Sequence, residues 1–99
     1  MFFSLVRTRY AQLRLDDKLE YIRRCFKNRQ AYINLIDTIS DVESKLCSNP
    51  FLNCPHVDLN DNEYRYAKVN VGDGYYIMYV IEGSTIIVID YLHKRELRE

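Results

Sequence analysis

Residues 75–92 read Tyr75-Tyr76-Ile77-Met78-Tyr79-Val80-Ile81-Glu82-Gly83-Ser84-Thr85-Ile86-Ile87-Val88-Ile89-Asp90-Tyr91-Leu92, and this stretch decides the fold. β-Branched and aromatic residues dominate on both sides of Glu82-Gly83-Ser84, a tight-turn signal, so the segment predicts an antiparallel hairpin. Tyr75 to Ile81 is nearly all apolar, the composition of a central strand covered on both faces. In the second strand a period of two puts Ile87, Ile89, Tyr91 and His93 on one face, with Ile86, Val88, Asp90 and Leu92 on the other. Upstream, Tyr64 to Val71 alternates, with Ala67, Val69 and Val71 opposite Tyr64, Tyr66 and Lys68. Gly72-Asp73-Gly74 supplies the intervening turn, because glycine tolerates positive φ. The C-terminal part is thus expected to be a three-stranded antiparallel meander.

Working back from the meander, residues 51 to 63 carry Pro55, several asparagines and acidic residues, and predict an irregular loop. Before it, Ala31, Leu35, Ile39, Val42 and Leu46 recur at helical spacing as far as Cys47, and Asn49-Pro50 stops the helix. Ala11, Leu15, Leu19, Ile22 and Phe26 trace an earlier helical stripe, with Arg14, Asp17, Lys18 and Arg24 expected to face water. Asp16-Asp17 marks a place where this helix can break. Thr8 offers its N-cap oxygen, and Asn28 in the Lys27-Asn28-Arg29 junction offers one for the second helix. Two stripes joined by so short a junction predict an antiparallel helical hairpin. Phe2 to Val6 is a short run of strand formers at the start. The expected class is α+β: N-terminal strand, helical hairpin, then meander.

Composition bounds what this fold can do. A chain of 99 residues is expected to make a single domain over 1–99, and its apolar fraction of 47% suits a packed core. Lys+Arg and Asp+Glu balance at 14 each, so no global field draws it to nucleic acid or membrane. Three cysteines, Cys25, Cys47 and Cys54, form an odd set without C-x-x-C spacing, which fits a reducing compartment. Met1 to Val6 is too short for a signal-peptide core, and no stretch has a membrane span's apolar length. A cytoplasmic location is the expectation.

Candidate chemistry gathers at the end of the last strand. His93 is followed by Lys94-Arg95-Glu96-Leu97-Arg98-Glu99, and a histidine among cations can act as a base or phosphate ligand. Arg65, Lys68, Lys94 and Arg95 are candidate phosphate contacts, with Tyr64, Tyr66 and Tyr75 available to stack on bases. The plainer alternative is a solvated charged tail. Six of the nine tyrosines fall between Tyr64 and Tyr91, as half-buried sheet residues or as a partner-binding face. Cys47, Cys54, His56 and His93 match no zinc spacing closely, and no cofactor is expected.

In order, these elements resemble the RelE/ParE superfamily of bacterial toxins. The resemblance rests on Tyr21-Ile22, on Leu46 with Pro50, and on Tyr64-Arg65 opening the meander. It continues through Gly74 to Tyr79 and through Ile86 to Ile89 into Leu92-His93-Lys94-Arg95. It implies the toxin of a type II toxin–antitoxin module, neutralised by a cognate antitoxin. RelE-like and YoeB-like members cleave mRNA on the ribosome; ParE-like members poison DNA gyrase. In a nuclease, Arg65, His93 and Arg95 would be catalytic; Lys68, Tyr75 and Lys94 are the expected contacts to the target, whether protein or RNA. Here Tyr76 stands at the nuclease arginine position and no tyrosine follows His93, which brings the chain closer to the ParE-like branch. The alternatives are a ribosome-dependent endoribonuclease and a decayed toxin that only binds its antitoxin.

Overall fold

The computed structural model describes residues 3–26, 29–72 and 74–97, apart from the side chains of Cys25 and Phe26. Strand β1 (Ser4–Arg7) leads into helix α1 (Arg9–Tyr21), which passes into a π-helical turn at Ile22–Phe26. Helix α2 (Arg29–Ser48) follows, then a 3-10 turn at Pro50–Leu52 and strands β2 (Pro55–Val57), β3 (Glu63–Val69), β4 (Tyr75–Glu82) and β5 (Thr85–His93). The strands form one sheet in the order β1-β5-β4-β3-β2, antiparallel except where β1 runs alongside β5. The α+β class and the order of strand, helices and meander are as predicted. Expectations for Phe2, the Lys27-Asn28 junction, Asp73, Arg98 and Glu99, and for the Cys25 and Phe26 side chains, fall outside the described residues.

Local chemistry accounts for the element ends. Thr8 caps α1 by accepting the Ala11 N–H at 3.0 Å, and its own N–H donates to the Val88 carbonyl at 3.0 Å. Helix and sheet are thereby joined at the first residue after β1. At the β4–β5 hairpin Gly83 takes φ 57° in a two-residue connection between the paired residues Glu82 and Thr85. That conformation strains residues with a Cβ, so glycine suits the turn.

The helices cover one face of the sheet. Ala11, Leu15 and Ile22 from the first helical segment meet Leu35, Ile39 and Leu46 of α2. Both groups pack on Ala67, Val69, Ile77, Tyr79, Ile86, Val88 and Tyr91. The full burial expected of β4 is therefore half correct. Ile77 and Tyr79 are buried under the helices, whereas Tyr76, Met78 and Val80 are half-buried on the opposite face.

Four further expectations are revised. α1 does not break at Asp16-Asp17, because both side chains are exposed and Gln12 donates to Asp16 at 3.0 Å; the irregularity is the π-helical turn after Tyr21. The stretch from 51 to 63 is not wholly irregular, since β2 pairs with β3 there and Asp58 closes the turn by accepting the Asn60 and Asn62 N–H groups at 2.8 and 2.9 Å. A three-residue exposed strand that opens with proline carries almost no alternation to detect. Simple alternation also fails in β5: Tyr79 pairs with Val88 and Met78 with Asp90, leaving Ile89 as a bulge. The bulge moves Tyr91 onto the buried face with Ile86 and Val88. Lastly, Arg14 and Lys18 are not turned to water but engaged with β5 and the segment beyond it.

Among the described residues two charged side chains are buried, Glu43 and Arg65, and Glu43 lies at the junction of helix and sheet. Glu43 interrupts the apolar stripe of α2 and is only 7% exposed. Its Oε1 accepts from Arg7 Nη2 at 2.6 Å, while Oε2 accepts from Arg7 Nε at 3.3 Å and from the Tyr91 hydroxyl at 2.5 Å. The Arg7 guanidinium also lies 5.8 Å from the Tyr91 ring centroid. Its hydrogen bond to Glu43 holds Arg7 charged, outweighing the desolvation that acts against it. Burial, followed by the bond to Glu43, pushes the Tyr91 hydroxyl well above its ordinary range. Glu43→Ala leaves a part-buried guanidinium and a buried hydroxyl without their acceptor, at an expected cost of about 2–3 kcal/mol. Urea denaturation should show this as a lower midpoint with an unchanged m-value.

Candidate functional site at the His93 end of the sheet

β5 ends at His93 directly opposite Tyr75, the first residue of β4, and their rings meet edge to face at 5.1 Å. Gly74 precedes Tyr75 at φ 103°, and its carbonyl accepts the Lys94 N–H at 3.0 Å. The chain then makes a single 3-10 turn at Lys94–Glu96. His93 Nδ1 accepts the Arg95 N–H at 3.1 Å, and Glu96 Oε1 accepts the His93 N–H at 2.9 Å. The two bonds together form a capping box. With Nδ1 acting as acceptor, the neutral ring carries its proton on Nε2.

Cations of α1 hold this turn in place. Lys18 Nζ lies 2.7 Å from Glu96 Oε1, and the Arg14 guanidinium bonds Glu96 Oε2. Arg14 Nε also donates to Asp90 Oδ1 at 2.9 Å. Arg14 is held firmly charged, first by its bond to Glu96 and then by Asp90. At Glu96 partial burial opposes ionisation, but the Lys18, His93 N–H and Arg14 bonds outweigh it and bring the carboxyl to about 2. Between α1 and the strand ends lies an open cleft of about 480 Å³, lined by Asp17, Lys18, Tyr21, Tyr75, His93 and Arg95, with Gly72 and Glu96.

The candidate residues named from sequence divide between separate places. His93, Arg95 and Tyr75 meet at this cleft, with Lys94 beside them and exposed. Arg65 does not join them. It lies on β3 opposite Tyr79 in the middle of β4, while His93 pairs with Tyr75 at the start of β4, on the far side of that strand. Its side chain is also committed locally, donating to the Asn53 and Phe51 carbonyls, pairing with Glu63 at 2.9 Å and lying over the Phe51 ring at 5.3 Å. Next to it the Tyr79 hydroxyl donates to the Pro50 carbonyl at 2.6 Å and accepts from Asn53 at 3.1 Å. Arg65 and Tyr79 thus anchor the Pro50–Asn53 segment to the sheet.

Lys68 is exposed on the sheet face away from the helices, in register with Tyr76. On that face His56 stacks on Tyr64 at 5.5 Å, and Tyr64, Tyr66 and Tyr76 continue as edge-to-face contacts at 5.5 and 6.2 Å. Burial raises the Tyr66 hydroxyl pKa. Cys47 is half-buried on α2, where desolvation raises its thiol pKa, and Cys54 is exposed. Among the described residues no three His, Cys, Asp or Glu side chains are placed to hold a metal ion. No helix among them is long and apolar enough to cross a membrane.

The Arg14–Asp90 and Arg14–Glu96 contacts span 76 and 82 residues of sequence, and sequence reading missed them. The available signal was the four-residue spacing of Arg14 and Lys18, which places both on one helix face.

No described protein family matches the sequence, and no curated protein matches it significantly. Among solved structures, the fold is similar to a chain of the chromosomal ParDE TA (toxin–antitoxin) system from P. aeruginosa, with a TM-score of 0.73. The match covers 93% of this chain and 96% of that one at 13% sequence identity. At that identity what the two share is the fold, whose strand, helices and antiparallel meander follow the order expected from sequence.

Two outcomes follow from the site geometry. Arg65→Ala should lower stability by about 1–2 kcal/mol, since part-buried carbonyls lose a charged donor, and Arg65→Lys should not restore it. Paired urea melts of the two variants check this. The Glu96 carboxyl sits below its unfolded value of 4.5, so its hold on α1 is complete above that pH and is lost as pH falls toward about 2. The His93 amide resonance should follow this titration, and Glu96→Gln should abolish it.

Proposed function

We propose that this chain is the toxin of a type II toxin–antitoxin module of the ParE-like branch, neutralised by a cognate antitoxin. It arrests growth by binding DNA gyrase. The observation that carries this reading is the fold similarity to a chain of the ParDE system over 93% of the present chain. The layout of the sheet favours the gyrase branch over the mRNA-cleaving one. Transition-state stabilisation in RNA cleavage needs cationic donors converging on one phosphate. Arg65 is bound to the Asn53 and Phe51 carbonyls, and on the outer face Tyr76 packs on Tyr66 where the resemblance places the nuclease arginine. His93 has its Nδ1 engaged by the Arg95 N–H.

Induced expression in a bacterial host tests this reading. The expected result is growth arrest with cleaved DNA trapped on gyrase, intact mRNA, and rescue by co-expression of a cognate antitoxin. Cleavage of translated mRNA in a reconstituted ribosome assay, lost in His93→Ala, would overturn it in favour of the endoribonuclease. Normal growth with tight binding to a cognate antitoxin would identify a decayed toxin instead.

A further inference from the structure

We propose that Arg14, Lys18 and the His93 backbone N–H form a receptor for a carboxylate side chain of a peptide partner, and that Glu96 is the chain's own occupant of it. Three donors from two separate elements converge on one carboxylate: Lys18 at 2.7 Å and the His93 N–H at 2.9 Å on one oxygen, and Arg14 on the other. Arg14 and the His93 N–H are positioned by something other than Glu96, and Lys18 by its place on α1. Asp90 holds Arg14 at 2.9 Å, the Lys18 side chain is only 15% exposed, and pairing with Tyr75 fixes His93 at the end of β5. The receptor therefore persists when its occupant leaves.

The occupant is the less secure part. The Lys94–Glu96 turn buries none of its residues. Opening the turn costs the bonds that hold Glu96, and an external carboxylate at the same donors replaces those to Lys18, Arg14 and the His93 N–H.

Charge and neighbouring side chains select the ligand. Arg14 and Lys18 bring two positive charges, and Asp90 neutralises one of them. At the rim of the cleft, Asp17 offsets Arg95. With Glu96 displaced and the neighbouring Lys94 exposed to solvent, a single excess positive charge remains at the receptor itself. It matches one carboxylate and falls short of a phosphate dianion or a nucleic-acid backbone, which need several clustered cations. Tyr10 and Tyr21 flank the two cations at helical spacing on α1, and each is 59% exposed. An acidic residue between apolar neighbours, in an extended peptide, is complementary to this stripe. The inference holds whether or not gyrase is the target.

The test uses the full chain, observed by backbone amide NMR, with acetyl-Leu-Glu-Leu-amide as the probe and acetyl-Leu-Gln-Leu-amide as its neutral control. An intramolecular carboxylate competes at an effective concentration on the order of millimolar, so Glu96→Ala should bind the acidic probe at least about tenfold more tightly than the unmodified chain. Saturable shifts at the His93 amide should accompany binding, the neutral control should produce none, and adding Lys18→Gln should remove them. Equal response to the two peptides, no response to either, or stronger binding of inorganic phosphate would each overturn the proposal. Should Glu96→Ala not fold, the same titration of Glu96→Gln, which keeps the side-chain length, decides it.

Discussion

The structure depends on the Glu43 carboxylate, placed among apolar side chains and shared by Arg7 and Tyr91. The three side chains belong to α2, β1 and β5, elements far apart in the sequence. A buried carboxylate is stable only when its oxygens are satisfied by donors, and here each donor arrives on a different strand. β1 must therefore lie beside β5, and Tyr91 must face the helices. The bulge at Ile89 meets the second requirement by turning Tyr91 onto the buried face. Without it the alternation from Ile86 and Val88 would send the Tyr91 hydroxyl to the opposite side.

From that bulge the consequences reach the His93 end. β5 runs on past the last β1 partner, Val88, to pair His93 with Tyr75, and α1 packs against β5. This brings Arg14 and Lys18 to Asp90 and Glu96. The site is accordingly an assembly of one helix face, one strand end and one short turn. Arg65 belongs to a different assembly, in which it and Tyr79 tie the Pro50–Asn53 segment to the sheet. Its chemistry in this molecule is that of an anchor for carbonyl groups, a use for which the planar guanidinium is suited.

The sheet also has two unlike faces. Helices bury one, while the other carries the ring contacts of His56, Tyr64, Tyr66 and Tyr76 with Lys68 beside them. The concentration of tyrosine in the meander is thus divided. Tyr79 and Tyr91 serve the core with their hydroxyls hydrogen-bonded, Tyr75 lines the cleft beside α1, and Tyr64, Tyr66 and Tyr76 form the half-buried outer surface.

Most of the secondary structure was legible in the sequence, because hydrophobic period and turn residues act locally. The stripes Ala11-Leu15-Ile22 and Leu35-Ile39-Leu46, the Thr8 cap and the Gly83 turn each follow from residues within a few positions of one another. Of the site, the meeting of His93 with Arg95 and Tyr75 was legible for the same reason, being set by strand pairing and chain adjacency. The parallel pairing of β1 with β5, the β2 edge strand, the Ile89 bulge, the burial of Glu43 and the capture of Glu96 by α1 were not. A carboxylate at position 43 or 96 reads as solvated until a distant arginine, lysine or tyrosine is brought against it. Only the packed chain decides that, since an ion pair between distant residues forms when the hydrophobic core has already set the distance.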